Sequence, residues 1–498
     1  MPEVTKTEKP GRTTWNPYMW IFAILIVSVY FFGLTIPLVG PDEPRYAQVA
    51  REMWQAGDWV TPTLGGFHWF EKPALLYWLQ ITSYNIFGVG EFAARFGSAL
   101  FGLGTIASLC ILGRSVESKS GIIRFSNLLA LIAASSIGII VFARGASFDI
   151  ILTFPITASL VSYWLWERKE SVSALVGFYF FIGVALLAKG LIGIVFPFAI
   201  VTFYHLLSWK WPKATLLLSL IWGTAISVVV ASGWYLPMYL TNGWEFIDEF
   251  FIQHHFQRYT SNKYFHPQPF YFFFWVLPLM TIPWLPFFVA GMWRGIKTAI
   301  RKVDDTEDVR SVVLFAFAWL LVPLVFFSLS GSKLPGYILP ALPPCLILAG
   351  LCVSRWVGEN RTRLGMIGSV AGITFATIVV LLLTAVPKYA DDDSVKRLIA
   401  EANARGFDSA EVLSQHAISH NAEFYAAGRL HRSPDGKQMR LYSPAEILNE
   451  VRRRDGETVL VLVPNEWAHQ TLESPLLSAE LIASNAEHSI IAAREAQP

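Results

Sequence analysis

Seven ionisable side chains stand at the ends of long apolar runs of the sequence. A charge inside a bilayer costs about 2.5–3.5 kcal/mol, so each needs a partner or a wet cavity. Cations there suit a bound phosphate, and carboxylates suit the orientation or deprotonation of an attacking group. The carboxylates are Asp42, Glu71 and Asp149, and the cations are Lys72, Arg144, Lys189 and Lys333. Chemistry on a phosphate-bearing substrate is therefore one prediction, to be weighed against structural roles.

Asp42 follows the first apolar run and opens a predicted helix over 43–56. Asp is a favoured N-cap residue, and Pro44 suits the first helical turn. From Tyr46 onward, apolar residues recur at i, i+3, i+4 and i+7, a pattern typical of a helix lying at a membrane surface. The carboxylate of Asp42 either only caps this helix or faces a cavity, and the spacing leaves both open.

Two lysines lie beside aromatic or small residues at the edge of apolar runs. Lys72 follows Glu71 and precedes a Tyr- and Trp-rich interfacial stretch at 74–87. Lys333 follows Gly and Ser and precedes Tyr337. Lys72 either forms a surface ion pair with Glu71 or provides a point charge for a phosphate at headgroup depth. Lys333 either belongs to a turn that starts a kinked helix or, together with Tyr337, contacts a phosphate.

Arg144, Asp149 and Lys189 interrupt otherwise apolar segments. Arg144 and Asp149 bracket a short turn, so they either pair with each other or face a wet cavity. Lys189, followed by Gly190, divides a long apolar stretch. Its side chain either snorkels to the interface or binds an anion.

The loop at 234–270 mixes carboxylates, histidines and aromatic residues. His255, Arg258 and Tyr259 are candidate substrate ligands, because long loops often close over a bound substrate. The histidine spacing matches no metal-ligand motif. No cofactor is therefore predicted, with a divalent metal kept as an alternative.

The amino-acid composition indicates which class of protein contains these residues. Hydrophobic residues make up 54% of the 498 and charged residues only 15%, whereas an ordinary soluble domain has about 25% charged residues. This excludes a cytosolic enzyme and a disordered scaffold, and a net charge of +2 signals no nucleic acid partner. The three cysteines, all in apolar runs, form no disulfide or zinc pattern.

Eleven apolar runs are candidate membrane spans. They lie at about 18–38, 92–113, 126–142, 149–166, 173–188, 190–207, 214–233, 271–292, 311–329, 337–354 and 364–386. One set of connections holds more than twice as many Lys and Arg residues as the other, which predicts a cytoplasmic N-terminus. All seven ionisable residues then fall on the outer face.

The chain after residue 387 changes character. Helical patterns at 394–405 and 443–454 alternate with β-like runs at 411–414, 438–442, 458–463 and 489–493, which predicts a small α/β domain. We therefore predict a membrane domain over 1–387 and an outer domain over 388–498. The fold class is a polytopic α-helical membrane protein with amphipathic helices at its outer surface and a C-terminal α/β domain.

Several of these motifs together resemble bacterial aminoarabinose transferases, which belong to the protein O-mannosyltransferase-like C-type glycosyltransferases. The resemblance covers about 40–340 well and the tail more loosely. It rests on GPDEPRYAQVAREMWQAGDWVTPTL from residue 40, FEKPALLYW from 70, Asp149, AKG at 188–190, HHFQRY at 254–259 and SKLPGYILP at 332–340. That family typically has thirteen spans, two more than predicted here.

The resemblance implies transfer of 4-amino-4-deoxy-L-arabinose from undecaprenyl phosphate to a phosphate of lipid A, at the periplasmic face of a bacterial inner membrane. We assign Asp42 and Asp149 catalytic roles on this basis. The donor or acceptor phosphate would be held by Lys72, Lys333, Tyr337, Arg144 and Lys189. Further substrate contacts would come from Glu43, Arg45, Glu71, His255, Arg258 and Tyr259.

Two other classes remain open. One is a glycosyltransferase that uses another polyprenyl-phosphate sugar and a protein or glycan hydroxyl. The other is a transporter of a lipid-linked sugar, although transporters usually bind near the bilayer midplane between repeated halves. A purely structural membrane protein would tolerate alanine at Asp42 and Lys72.

Overall fold

The computed structural model describes residues 17–116, 122–257, 267–301 and 307–497. Helices dominate the described chain up to residue 383. In order, they are α1 (Pro17–Phe31), α2 (Asp42–Ala56), α3 (Leu75–Phe87), α4 (Glu91–Val116), α5 (Phe125–Ala134), α6 (Ile137–Ala143), α7 (Phe148–Lys169), α8 (Val172–Lys189), α9 (Ile192–Ser208), α10 (Ala214–Phe246), α11 (Phe272–Met280), α12 (Leu285–Arg301), α13 (Glu307–Ser328), α14 (Leu342–Val357) and α15 (Arg361–Leu383). A π-helix (Ile247–Gln257) extends α10, and a 3₁₀ helix (Pro335–Ala341) precedes α14.

Seven helices among the described residues are long and apolar enough to cross a membrane, or up to nine spans if each of two bent pairs counts as one. Two shorter apolar helices, Phe22–Phe31 and Ile192–Ser208, accompany them. Each predicted apolar run coincides with one of these helices or pairs, including the division of 173–207 near Lys189. The chain is a multi-pass membrane protein, and the number of eleven crossings stays a prediction.

Two runs predicted as continuous spans are broken helices. The pair α11–α12 bends by 116°, and the pair α5–α6 bends by 59°. Pro278 and Pro283 lie in and after α11, and proline has no amide hydrogen to donate to the helix. Between α5 and α6, the hydroxyl of Ser135 donates to the carbonyl of Leu131 at 2.6 Å, a side-chain bond that favours bending.

The helix predicted to follow the first apolar run is α2, and its apolar stripe is buried as expected. Tyr46, Val49, Ala50 and Met53 are at most 6% exposed. Of the two alternatives for Asp42, capping is wrong, because Pro41 already has helical dihedral angles and no side chain caps the helix. Asp42 is the first helical residue, so its carboxylate does not cap the helix.

The C-terminal domain contains a five-stranded sheet in the order β4-β3-β5-β7-β6. Earlier in the chain, β1 (Thr63–Leu64) and β2 (Phe67–His68) form a separate hairpin. The C-terminal sheet consists of β3 (Val412–Gln415), β4 (Arg440–Leu441), β5 (Val459–Pro464), β6 (Leu477–Ser484) and β7 (His488–Glu495). The helices of this region are α16 (Ala385–Asp393), α17 (Lys396–Ala404), α18 (Ala422–Tyr425), α19 (Pro444–Arg452) and α20 (Ala468–Leu472). β3 is parallel to β4 and β5, and β7 is antiparallel to β5 and β6.

The small α/β domain is thus confirmed, with strands at all four predicted β-like runs. β6 was not predicted, because it is an edge strand in which half of the residues are exposed and no strict alternation occurs. The run of three aspartates at 391–393 ends α16. The boundary at 387/388 stays a prediction.

Hydrogen bonds and a cation–π contact join the C-terminal domain to the helical domain near α2. Arg51 on α2 donates to the carbonyl of Phe424 at 2.7 Å and stacks over its ring at 3.9 Å. The hydroxyl of Tyr425 accepts from the amide of Leu38 at 2.8 Å and donates to Glu91 at 3.1 Å. These contacts place α18 directly on α2, the helix that carries Asp42.

Candidate active site

Asp149 and Lys189 form an ion pair where two helix ends meet. Asp149 lies in the first turn of α7 and Lys189 ends α8, so each charge also matches the dipole of its own helix. Their side chains are only 16% and 14% exposed. The ammonium of Lys189 also lies 4.8 Å from the ring centre of Tyr337. Three predicted residues from distant segments therefore meet at one point.

Gly336 makes room for this meeting point. A β-carbon at this position would overlap the Oδ2 atom of Asp149 and would lie 2.7 Å from the ring of Phe142. The 3₁₀ helix therefore presses its backbone against the carboxylate. Only a residue without a side chain permits that approach.

Gly336→Ala should lower the free energy of unfolding by about 1–3 kcal/mol, because the added methyl group overpacks the site. The measurement is the midpoint of thermal unfolding of the purified protein in detergent. Gly365→Ala on α15 is the matched control, since nothing lies within 4 Å of its added β-carbon. Equal midpoints for the two variants would show that Asp149 is not held against this backbone.

Lys333 lies in the loop before the 3₁₀ helix, with a side chain that is almost completely buried. Its ammonium donates to the carbonyls of Ser330 at 2.6 Å and Gln268 at 3.0 Å. Burial lowers the pKa of Lys333. Carbonyl oxygens orient the ammonium without cancelling its charge, so this lysine can attract a phosphate.

Glu43, predicted as a substrate ligand, forms a buried ion pair with Arg95 of α4. Its two oxygens accept from the guanidinium at 3.0 and 2.7 Å, and also from the amides of Ala146 and Val39. Burial would raise the pKa of Glu43, but Arg95 and the two amides lower it overall. All the strong acceptor positions are occupied, so Glu43 has a structural role, joining α2, α4 and the turn before α7.

Asp42 is exposed at the N-terminus of α2, and Arg45 lies one turn further along with a side chain that is 19% exposed. The Asp42 side chain is 52% exposed and lies 3.9 Å from the guanidinium of Arg45, which stacks over Trp69 at 5.4 Å. Burial raises the pKa values of Tyr46 and Tyr77, and the negative charges of Asp42 and Glu71 raise them further. Asp42, Glu71 and Arg45 therefore share one electrostatic neighbourhood.

Phe148 joins this neighbourhood to the Asp149–Lys189 pair. Its ring lies 4.8 Å from that of Tyr46 and 5.5 Å from that of Tyr77, both edge to face. Phe148 directly precedes Asp149 in the chain. The two carboxylates predicted as catalytic thus lie on the two sides of one aromatic cluster.

Arg144 does not belong to this site, contrary to the prediction. Its guanidinium donates to the carbonyl of Val29 at 2.8 Å and also to that of Phe32. These are carbonyls at the C-terminal end of α1, which lack helical partners of their own. Arg144 therefore caps α1. Of the two alternatives for Arg144 and Asp149, a pair between them is wrong, because Asp149 pairs with Lys189.

The remaining predicted residues lie either in the turn before α3 or outside the part of the chain that the structure describes. Glu71 and Lys72 are half-buried in the turn between β2 and α3. Arg258 and Tyr259, with the side chain of His255, lie outside the described residues. In the described ranges, no three His, Cys, Asp or Glu side chains converge as metal ligands. A metal requirement stays an untested alternative.

Two residues near the site were missed. Arg95 stands alone in an apolar run at 92–113, the same signal that identified Lys189. His420 approaches Arg45 to 3.5 Å from the C-terminal domain. Nothing in the sequence indicates that contact, because it depends on how the domain docks.

Comparisons with known proteins agree with this architecture. The model of the dolichyl-phosphate-mannose-protein mannosyltransferase family matches residues 18–249. The chain is 30% identical, over 385 residues, to the undecaprenyl phosphate-alpha-4-amino-4-deoxy-L-arabinose arabinosyl transferase of Edwardsiella ictaluri, covering 73% of this chain and 65% of the relative. The same-named protein of Serratia proteamaculans is 28% identical over 371 residues, covering 73% and 64%. The chain thus spans less than two thirds of the length of these relatives.

A solved structure matches almost the whole chain. It is the crystal structure of ArnT from Cupriavidus metallidurans bound to undecaprenyl phosphate, with a TM-score of 0.75 and 23% sequence identity. The match covers 96% of this chain and 98% of that one, so it includes both the helical domain and the C-terminal sheet. The chain therefore has the fold of ArnT, a membrane domain of apolar helices with a small α/β domain docked on α2.

Proposed function

We propose that the protein is a membrane glycosyltransferase that moves 4-amino-4-deoxy-L-arabinose from undecaprenyl phosphate to a phosphate of lipid A. The names of its relatives support this donor, and the fold it shares with ArnT supports the class. The observation that carries the proposal is the meeting of Asp149, Lys189 and Tyr337. Lys333, with its buried ammonium, lies four residues before Tyr337 in the chain. We place this site at the periplasmic face of a bacterial inner membrane, following the distribution of Lys and Arg.

In the proposed reaction, an oxygen of the acceptor phosphate attacks the anomeric carbon of the sugar. A new carbon–oxygen bond forms as the bond between the anomeric carbon and the donor phosphate breaks. The bonding electrons leave with undecaprenyl phosphate, which departs as an anion. No oxidant, reductant or nucleotide is needed, which suits a chain with no nucleotide-binding motif.

The proposed roles of the side chains in this reaction follow from their charges. Lys333 and Lys72, with the hydroxyl of Tyr337, would hold the donor phosphate and stabilise the charge that grows as it leaves. Asp149 would orient Lys189 and, through it, the substrate. Asp42 and Arg45, at the exposed end of α2, would position the acceptor.

Asp42→Asn distinguishes the two acceptor classes that the sequence leaves open. A phosphate acceptor is already anionic near neutral pH, so we expect transfer to fall by less than about tenfold, a loss of orientation only. A hydroxyl acceptor would need a general base, whose removal costs about 10²–10⁴-fold. The measurement is the rate of sugar transfer to lipid A by the purified protein. A loss in the second range would overturn the phosphate acceptor.

The geometry favours transfer over transport of a lipid-linked sugar. The ion pair joins the first turn of one apolar helix to the last residue of the next, so it lies at helix ends. A transporter would instead expose its site alternately to both faces, from a position near the bilayer midplane. Labelling of a cysteine introduced at Asp42 from the outer face alone is the expected result. Labelling from both faces would favour transport.

A further inference from the structure

The C-terminal domain has a second candidate binding site, at one edge of its sheet. The carboxyl ends of its three parallel strands, β4, β3 and β5, lie along one edge of the sheet. In sheets with parallel strands, ligands bind at this edge. Here the residues that follow the strands are aromatic: Tyr442 follows β4, His416 follows β3, and Trp467 lies three residues after β5. We call these three residues the aromatic platform.

The rings of the platform form one contiguous surface. The imidazole of His416 lies 4.7 Å from the ring of Trp467, with 30° between their planes. It lies 6.1 Å from the ring of Tyr442, at 78°. Tyr442 is 51% exposed and Trp467 is 38% exposed. Two large, partly exposed rings therefore flank one imidazole.

The backbone of His416 adopts a conformation that is unfavourable for most residues. Its φ of +60° lies in the left-handed region, which residues other than glycine rarely adopt. The backbone amide donates to the carbonyl of Leu441 at 2.8 Å, and Nε2 pairs with the side chain of Gln470 at 2.8 Å. Such strain persists where surrounding contacts enforce it and clusters at functional sites.

Polar groups border the rings. The guanidinium of Arg440 lies 4.9 Å from the ring centre of Tyr442, and the carboxylate of Glu466 accepts from the indole of Trp467 at 2.8 Å. A flat apolar surface with charged groups at its rim suits a sugar. The C–H face of the sugar packs on the rings, and its hydroxyl groups bond to the rim. Arg440 could also contact a phosphate on that sugar.

The loop after β3 connects the platform to the candidate active site. His416 and His420 are four residues apart, so their Cα atoms are at most about 14 Å apart. His420 lies 3.5 Å from Arg45, one helical turn from Asp42. The platform is therefore within the length of a few sugar units of the position where the acceptor would react.

We infer that the aromatic platform of His416, Tyr442 and Trp467 binds the saccharide of the acceptor glycolipid while one of its phosphates lies at the active site. The inference rests on the proposed function only in naming a glycolipid as acceptor. It gives the C-terminal domain a role in acceptor recognition. The donor, held by cations in the membrane domain, would not contact the platform.

Steady-state kinetics of the full-length protein test this inference. We expect Trp467→Ala and Tyr442→Ala each to raise the KM for lipid A by about tenfold, the loss typical of an aromatic binding residue. The KM for the undecaprenyl-phosphate sugar and the thermal midpoint should stay unchanged. Trp467→Phe, which keeps a flat ring, should restore most of the acceptor affinity. Tyr389→Ala, which removes another exposed aromatic side chain outside the sheet, is the matched control.

A second measurement separates this inference from the proposed function. Calorimetry with the deacylated, phosphorylated glucosamine disaccharide of lipid A should show binding to the wild-type protein and its loss in Trp467→Ala. If the wild-type protein transfers no sugar but binds the disaccharide in this way, only the proposed function fails. If transfer occurs and the platform variants keep the wild-type acceptor KM and disaccharide binding, the inference is overturned. Parallel increases in both KM values would also overturn it, because they would indicate a structural role.

Discussion

Asp149→Asn should destabilise the protein by about 3–5 kcal/mol, because it leaves the mostly buried ammonium of Lys189 without its counter-charge. Sugar transfer should fall by about 10²-fold or more, since the misplaced lysine no longer serves the substrate. Thermal unfolding in detergent measures the first effect. The rate of transfer from the undecaprenyl-phosphate sugar to lipid A measures the second.

The double variant Asp149→Asn with Lys189→Met separates stability from catalysis. Removing both charges should recover most of the lost stability, because no unpaired charge remains. Transfer should stay low, because the recovered fold still lacks the charged groups. A double variant that is both stable and fully active would show that the ion pair only holds α7 and α8 together.

Lys333→Gln should lower transfer by about 10²–10³-fold, the usual loss when one preorganised donor to a developing charge is removed. The amide of Gln can still donate to the carbonyls of Ser330 and Gln268, so the loop should keep its conformation. Binding of undecaprenyl phosphate, followed by native mass spectrometry, should weaken in parallel. Lys437→Gln is the control, because that side chain is 81% exposed on the C-terminal domain.

Unchanged binding of undecaprenyl phosphate together with unchanged transfer in Lys333→Gln would contradict the phosphate role of this lysine. If binding is unchanged but transfer falls, the ammonium acts on the leaving phosphate only in the transition state. A fall in thermal midpoint without any change in transfer would make Lys333 a structural residue of the loop.

Local signals in the sequence predicted much of this architecture. The apolar stripe from Tyr46 predicted the buried face of α2, and apolar runs predicted the membrane helices. The charged residues that interrupt those runs included Asp149 and Lys189, which the structure brings together. Such signals suffice because they depend on hydrophobicity and charge within a short window.

Pairing between distant residues could not be predicted in this way. Asp149 had two cations available, Arg144 five residues away and Lys189 forty residues away, and spacing left a pair with Arg144 as one of two alternatives. Helix packing decides the choice, because α1 presents uncapped carbonyls to Arg144. The resemblance implied that Glu43 is a substrate ligand, and the sequence gives no sign of its partner because Arg95 lies on another helix.

Mass spectrometry of lipid A tests the central claim most directly. The cells should supply the undecaprenyl-phosphate sugar but lack a transferase of their own, and should express either the wild-type chain or Lys333→Gln at equal membrane levels. We predict that lipid A gains the mass of one amino-pentose on a phosphate with the wild-type chain, and that the variant largely abolishes this gain. Unmodified lipid A with the wild-type chain, or equal modification with both chains, would contradict the account.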